Sequence, residues 1–255
     1  MPDPLNLAHT LSLIRVGIDV GGSAIKGAVV DLDDGSIIGD RLRFETPQPA
    51  TPGQIGDAVA TLVEDLGYTG PIGVGFPAVV TDDVISTANN IDRSWIGTDA
   101  GELFRSKTGS EVAIVNDADA AALCEARYGV AKGVSGLVIL LTFGSGIGSG
   151  LLMNGELVRN VELGGLELEG HAPAESHFSA RSRSQENLSW DEWGARTNRY
   201  LAHVNSVFAP QLIAIGGGVS RKWDRWREQI DISLPVVRAR FANNAGIVGA
   251  ATLVA

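Results

Sequence analysis

Arg15-Val16-Gly17-Ile18-Asp19-Val20-Gly21-Gly22-Ser23-Ala24-Ile25-Lys26-Gly27-Ala28-Val29-Val30 begins as a short apolar run, closes on an aspartate, turns through glycines and resumes as a second apolar run. A turn at Asp33-Asp34-Gly35 and the pair Ile37-Ile38 follow, so the stretch predicts a three-strand meander with a glycine-rich first turn. The same order returns as Leu137 to Leu141, Gly144-Ser145-Gly146-Ile147-Gly148, Leu151-Leu152-Met153, an Asn154-Gly155 turn and Leu157-Val158. Two copies of one unit in one chain predict duplicated halves.

Between and after these copies, helix and strand alternate. Pro52 to Leu66 carries helical periodicity through Ile55, Val59, Leu62 and Val63, and Ile72 to Phe76 reads as a strand stopped by Pro77. Val112 to Val115 is a strand ending at Asn116-Asp117, followed by an Ala-rich helix from Ala118 to Tyr128. Trp190 to Phe208 and Ala245 to Val254 complete the helices, and the alternation places the chain in the α/β class. His171 to Ser189, rich in Ser and Arg, has no clean period and reads as a mobile excursion.

The glycine turns carry the first chemical signal. The chain holds 32 glycines in 255 residues, well above the typical ~7 %, and many of them fall after β-runs. A single such turn is as well explained by a tight hairpin. Two of them, each rich in unhindered backbone N–H groups, suit a pair of loops gripping a chain of phosphates. Neither is a Walker loop, and Ser149 stands where G-x-G-x-x-G would end, so a Rossmann dehydrogenase is disfavoured. A third cluster, Gly216-Gly217-Gly218, follows the apolar run Leu212 to Ile215 and reads as a strand entering a helix start, with Arg221 and Lys222 adding positive charge.

Asn116-Asp117 lies where a buried strand passes to a helix. Either residue would serve as an N-cap, but capping needs only one, and ligands of open α/β sheets bind at the carboxyl ends of strands. Asp119 falls elsewhere on the helix and reads as a first-turn partner of the helix dipole. A strand-end carboxylate beside phosphate-gripping turns suits phosphoryl transfer to a hydroxyl, with Asp117 accepting the proton.

Composition bounds the alternatives. Thirty acidic against 20 basic residues give a net charge of −10, which disfavours a general nucleic-acid binder. The single Cys124 excludes a disulfide framework and a thiolate-rich zinc site. No apolar run approaches the roughly 18 residues of a spanning helix and the start lacks a secretory signal, so no membrane association and a cytoplasmic location are expected. The charge is uneven: residues 1–175 hold 10 basic and 24 acidic residues, whereas 176–255 hold 10 basic and 6 acidic. The basic segment, with Arg181, Arg183, Arg196, Arg199, Arg221, Lys222, Arg225 and Arg227, reads either as solvated helix faces or as a track that steers a polyanion.

Asp19-Val20-Gly21-Gly22-Ser23 with Lys26-Gly27, Asn116-Asp117, Thr142-Phe143-Gly144-Ser145-Gly146-Ile147-Gly148 and Ile215-Gly216-Gly217-Gly218 resemble the sugar kinases of the ROK family. Thr46-Pro47-Gln48-Pro49-Ala50-Thr51-Pro52, Ser94-Trp95-Ile96-Gly97-Thr98 and Asn244 to Ala250 resemble its polyphosphate-using bacterial branch. The resemblance implies an actin-like, ribonuclease H-like and hexokinase-type α/β fold of two duplicated domains with an interdomain cleft. The expected division is 12–115 plus 243–255 against 116–242. It implies transfer of a phosphoryl group from polyphosphate or ATP to the 6-hydroxyl of glucose or mannose, or, as the alternative, a strictly ATP-dependent hexose or aminosugar kinase.

The residues carry over by motif. Asp117 would be the general base, and Asn90, Asn116, Glu162 and Glu175 would bind sugar hydroxyls. Donor phosphates would meet Gly21, Gly22, Ser23, Lys26, Thr142, Gly144, Ser145, Gly146, Gly216, Gly217 and Gly218, with Arg221 and Lys222 beside them. Asp19 would lie near Mg2+ bound to those phosphates. Read without the resemblance, Glu162 is better explained as a solvated strand-end glutamate. Glu162-Leu163-Gly164-Gly165 has glycine where the family motif has histidine, which implies one sugar hydrogen bond fewer and a relaxed choice of sugar. His171, six positions on, would replace it only if the loop folded back. The family's Cys-rich zinc motif is absent, so no zinc is expected, and a homodimer is the assembly the resemblance suggests. Some ROK relatives are repressors with a DNA-binding domain ahead of the core, but about 20 residues precede the first turn and no helix-turn-helix is expected there.

Overall fold

The computed structural model describes residues 13–89 and 91–255. The chain divides into two compact units, the first ending at Cys124 and regaining Asn244–Ala255, the second running from Glu125 to Asn243. Residues 116–124 therefore pack with the first unit instead of opening the second, because the helix they start lies against strands of the first sheet.

The first unit is built on a sheet of order β3-β2-β1-β4-β7, from β1 (Ile14–Val20), β2 (Ala24–Asp31), β3 (Ile37–Glu45), β4 (Ile72–Phe76) and β7 (Val112–Asn116). A two-strand ribbon, β5 (Val80–Thr81) and β6 (Val84–Ile85), stands apart. The expected meander is antiparallel, with Asp19 opposite Lys26, while β1–β4 and β4–β7 are parallel. All five residues of β4 are buried, as central parallel strands require, whereas edge strand β3 alternates and is largely exposed. Helix α1 (Pro52–Asp65) places Ile55, Val59 and Leu62 on one face, all fully buried against the sheet. Helix α2 (Ala100–Thr108) adds Phe104 to a cluster with Phe76 and Trp95, whose indole N–H donates to Ala50 O at 2.8 Å.

The second unit repeats the topology. Its sheet, β10-β9-β8-β11-β12, uses β8 (Leu137–Phe143), β9 (Ile147–Met153), β10 (Glu156–Val158), β11 (Leu212–Gly216) and β12 (Val236–Arg238). Again three antiparallel strands are followed by two parallel ones, so the duplication read from the sequence is a duplication of structure. Helix α3 (Asp117–Tyr128) precedes it in the chain, and helix α6 (Trp190–Phe208) buries Trp193, Tyr200, Leu201 and Val204 in its core. A reciprocal pair of bonds between Ser189 and Glu192 fixes the start of α6.

One expectation fails here and a second is refined. The stretch 171–189 is not a featureless excursion: it holds α4 (Glu175–Phe178) and α5 (Ala180–Gln185), anchored by buried Ala174, Phe178 and Ser182. These helices are too short for a visible period. The glycine cluster at 216–218 leads not into an α-helix but into a 3-10 stretch, Gly218–Arg225, broken at Lys222. Trp223 and Trp226 meet edge to face at 4.9 Å, a spacing of three residues that suits three residues per turn.

The last helix, α7 (Ala245–Ala251), lies on β1 and β4 at backbone distance. A Cβ on Gly17 would stand 1.8 Å from Ile247 O, one on Gly73 1.8 Å from Ala250 O, and one on Gly249 1.7 Å from Ala120 O. Only glycine fits at these three places. Gly73→Ala should therefore cost at least about 1–3 kcal/mol of stability, the usual penalty of overpacking, read as a lower urea midpoint with an unchanged slope.

Candidate active site

In the first unit the candidate residues collect at the carboxyl ends of β1, β4 and β7. Asp19 is the register partner of Gly75, and a Cβ on Gly75 would lie 3.6 Å from Asp117 Cα. Asp19 is mostly buried, at 16 % exposure, and accepts a 2.9 Å ion pair from Lys26 Nζ across the strand pair. Its carboxyl carbon also backs onto Gly246 of α7, where a Cβ would approach to 3.0 Å. Gly22 and Ser23 project into solvent at the tip of the turn. Gly21 N–H donates to Ala24 O, and Thr46 holds both ends of the turn, its hydroxyl donating to Gly21 O and its N–H to Ser23 O at 3.3 Å. Sequence reasoning passed over Thr46 as a clamp because it lies 25 residues away in a proline-rich stretch.

Asn116 is buried and committed to structure. Its Oδ1 accepts from Ala118 N at 2.8 Å and Asp119 N at 3.2 Å, and its amide donates to Ala78 O at 3.1 Å. One amide hydrogen remains for a ligand, since the group carries two. Asp117 is partly exposed, with Oδ1 accepting from Ala118 N at 2.8 Å. Capping thus falls mainly to Asn116, and Asp117 stands partly exposed at the strand end. Asp119 is fully buried in the first helical turn. Asn90 lies outside the described residues.

In the second unit Glu162, Glu175 and the turn 144–146 converge. Gly144 and Ser145 are exposed, while Ile147 N–H donates to Glu175 Oε2 at 2.9 Å and a Cβ on Gly146 would lie 2.2 Å from the same oxygen. Glu162 is held by Ser149, whose buried hydroxyl donates to Val161 O and accepts from Leu163 N at 2.8 Å. The serine that breaks the dinucleotide pattern is thus what positions this glutamate. Glu162 is open to solvent, yet neighbouring protein strips enough hydration, with the charge of Glu175 adding, to hold its carboxyl above the usual glutamate value. Fully buried Tyr200 has no hydrogen-bond partner for its hydroxyl among the described residues, and burial together with Glu175 pushes its ionisation far up, so it stays neutral.

Among the described residues a Cβ on exposed Gly165 would meet nothing within 4 Å, which leaves open space where the family motif has histidine. His171 does not fold back toward Glu162: its ring stacks on His177 at 3.9 Å with 2° between planes. Burial and the Arg196 charge hold the His177 imidazole below its ordinary value.

The second and third glycine loops are neighbours. Thr142 pairs with Gly216, and Gly217, at φ 73°, backs onto Phe143, where a Cβ would lie 2.5 Å from its carbonyl oxygen. Arg221 and Lys222 follow on the exposed 3-10 stretch and make no ion pair among the described residues. Among those residues no three His, Cys, Asp or Glu side chains gather as a metal cluster. A lone carboxylate such as Asp19 fits Mg2+, which is bound through one or two carboxylates with donor phosphates and water. No helix among the described residues is long and apolar enough to cross a membrane.

The profile of the ROK family matches residues 15–178. Polyphosphate glucokinase of Mycobacterium leprae is 47 % identical over 250 residues, spanning 97 % of this chain and 77 % of the relative. The Mycobacterium tuberculosis (strain CDC 1551 / Oshkosh) protein of that name is 47 % identical over 236 residues, 92 % of this chain and 89 % of the relative. The crystal structure of the inorganic polyphosphate/ATP-glucomannokinase of Arthrobacter sp. strain KM superposes with a TM-score of 0.91 at 44 % identity, covering 94 % and 98 % of the two chains. Both sheets thus belong to the actin-like fold of ROK sugar kinases.

The bond between Glu175 and Ile147 is open to test. Glu175→Ala should raise the exchange rate of the Ile147 amide by roughly tenfold, the worth of one charge-assisted hydrogen bond, while Glu175→Gln, which keeps an acceptor, should raise it much less.

Proposed function

Because this chain belongs to the ROK family, we propose that it is a sugar kinase that moves a phosphoryl group from inorganic polyphosphate or ATP to the 6-hydroxyl of glucose, with mannose as a second acceptor. The observation that carries the reading is the partly exposed Asp117 carboxylate at a strand end, in a chain 47 % identical to polyphosphate glucokinases over most of its length. As the hydroxyl oxygen bonds to the terminal phosphorus, Asp117 takes its proton and the bond to the leaving phosphate oxygen breaks. The product is a hexose 6-phosphate, with ADP or a polyphosphate one unit shorter.

Other residues bind and orient. Glu162 and the free oxygen of Glu175 accept sugar hydroxyl hydrogens, and the remaining amide hydrogen of Asn116 donates to the acceptor. The N–H groups of the glycine turns other than those of Gly21 and Gly144, which bond Ala24 O and Gly146 O, receive donor oxygens together with Lys26, Arg221 and Lys222. Mg2+ would rest on Asp19 and neutralise donor charge when bound. The open space at Gly165 removes one constraint on the sugar, in keeping with acceptance of both epimers. We place the reaction in the cytoplasm.

Crossing glucose and mannose with ATP and ATP-free polyphosphate tests the reading. Transfer from polyphosphate to glucose is expected, and transfer from ATP alone would leave a strictly nucleotide-dependent kinase. Asp117→Asn should lower turnover roughly 10² to 10⁴-fold with little change in sugar affinity; near-normal turnover would remove Asp117 from its role. Glu162 has its own signature. A raised carboxyl holds its proton to higher pH, so the acceptor loses its charge earlier as pH falls. The KM for glucose should rise on acidification from above the ordinary glutamate range, and this limb should vanish in Glu162→Gln.

A further inference from the structure

The eight basic side chains from Arg181 to Arg227 fall into two classes. Arg196 grips Glu186 with two bonds of 2.8 and 2.7 Å, Arg199 meets Glu169 at 2.8 Å, and Arg227 meets Asp224 at 3.3 Å. Arg181, Arg183, Arg221, Lys222 and Arg225 make no salt bridge among the described residues.

The five unpaired cations share one neighbourhood. Arg181, at the start of α5, donates its backbone N–H to Gly144 O at 3.0 Å, so it sits on the second glycine turn. Two residues on, the Arg183 guanidinium lies 3.9 Å from the centre of the Trp190 ring. Arg225 approaches the same ring at 6.0 Å, so α5 and the 3-10 stretch meet across Trp190. That stretch carries Lys222 and Arg221 back to Gly218, next to the Gly217 that abuts Phe143. The circuit closes on the two glycine loops from which it started. Arg183 is half-buried, and its Nε is buried with no acceptor among the described residues.

We infer that Arg183, Trp190 and Arg225 form a distal binding station for a linear polyphosphate whose reacting end lies at the glycine loops, with Arg181, Arg221 and Lys222 along the way. The inference rests on the reading of polyphosphate as a donor. Like charges repel, so gathering five cations that make no salt bridge among the described residues is stabilised by a polyanion that threads among them. The charge of a nucleoside triphosphate ends after three phosphates, which the loops and their nearest cations already engage. A longer chain alone reaches the station. Single-stranded nucleic acid fits less well, because it needs free aromatic faces for its bases. Trp190 is covered by Arg183 and abuts Trp193, and Trp223 abuts Trp226.

The test compares long-chain polyphosphate with tripolyphosphate on the intact protein. In the double variant Arg183→Gln/Arg225→Gln, the ratio of kcat/KM for the long donor to that for the short one should fall about tenfold or more, the worth of lost charge-assisted bonds. Without sugar, long chains should bind more tightly than tripolyphosphate and shift the tryptophan emission, a response lost in Trp190→Phe. If the double variant does not fold, the exposed Arg225→Gln alone should lower the same ratio. An unchanged ratio in a folded variant overturns the station, as does equal binding of long and short chains, or an oligodeoxynucleotide that competes as well as polyphosphate. Tight, length-dependent binding without phosphoryl transfer would overturn polyphosphate as donor and leave the station standing.

Discussion

Everything on the first sheet depends on three places where backbone meets backbone. Gly17, Gly73 and Gly249 let α7 settle onto β1, β4 and α3 with no side chain between them. That contact sets the spacing of the strand ends that carry Asp19 and, through β7, Asn116 and Asp117. The first residues of α7 also limit Asp19 directly, since Gly246 leaves its carboxylate just enough room. Glycine was visible in the sequence as an excess and was read as phosphate loops. Part of that excess is used for packing instead.

A second coupling lies within the other unit. Glu175 bonds the amide of Ile147, at the foot of the turn 144–146, while its charge bears on Glu162 and on the Tyr200 hydroxyl. One carboxylate therefore ties a glycine turn to a second acidic group and to the core. Ser149 supplies the complementary restraint by bonding the residues on either side of Glu162. A substitution at either position would disturb two functions at once, which makes them poor sites for tuning one of them.

The meander and its second copy were legible because alternation and tight turns are local signals, and both sheets repeat the order read from 15–38 and 137–158. Asn116-Asp117 was legible for the same reason: a strand-to-helix junction is written in consecutive residues. What escaped were features set by distant partners. Thr46 clamps a turn 25 residues away, and Ser149 acts through main-chain groups of Val161 and Leu163. The stretch after Gly218 promised a helix, but the tryptophans at 223 and 226 favour the tighter winding. The short helices of 171–189 are held by core contacts of Phe178 and Ser182, and propensity over four to six residues says little about them.

The return of the chain to its first unit also has a temporal side. On the ribosome, β1 and β4 emerge early, but the helix that covers Gly17 and Gly73 is made after every strand of both sheets. Until residues 245–251 leave the exit tunnel, the places at Gly17 and Gly73 stay uncovered, while Glu125–Asn243 has all of its own strands in hand. Synthesis thus delivers a later-encoded unit that is able to fold before the earlier one is complete, while the glycine-lined side of β1 and β4 still waits for its helix.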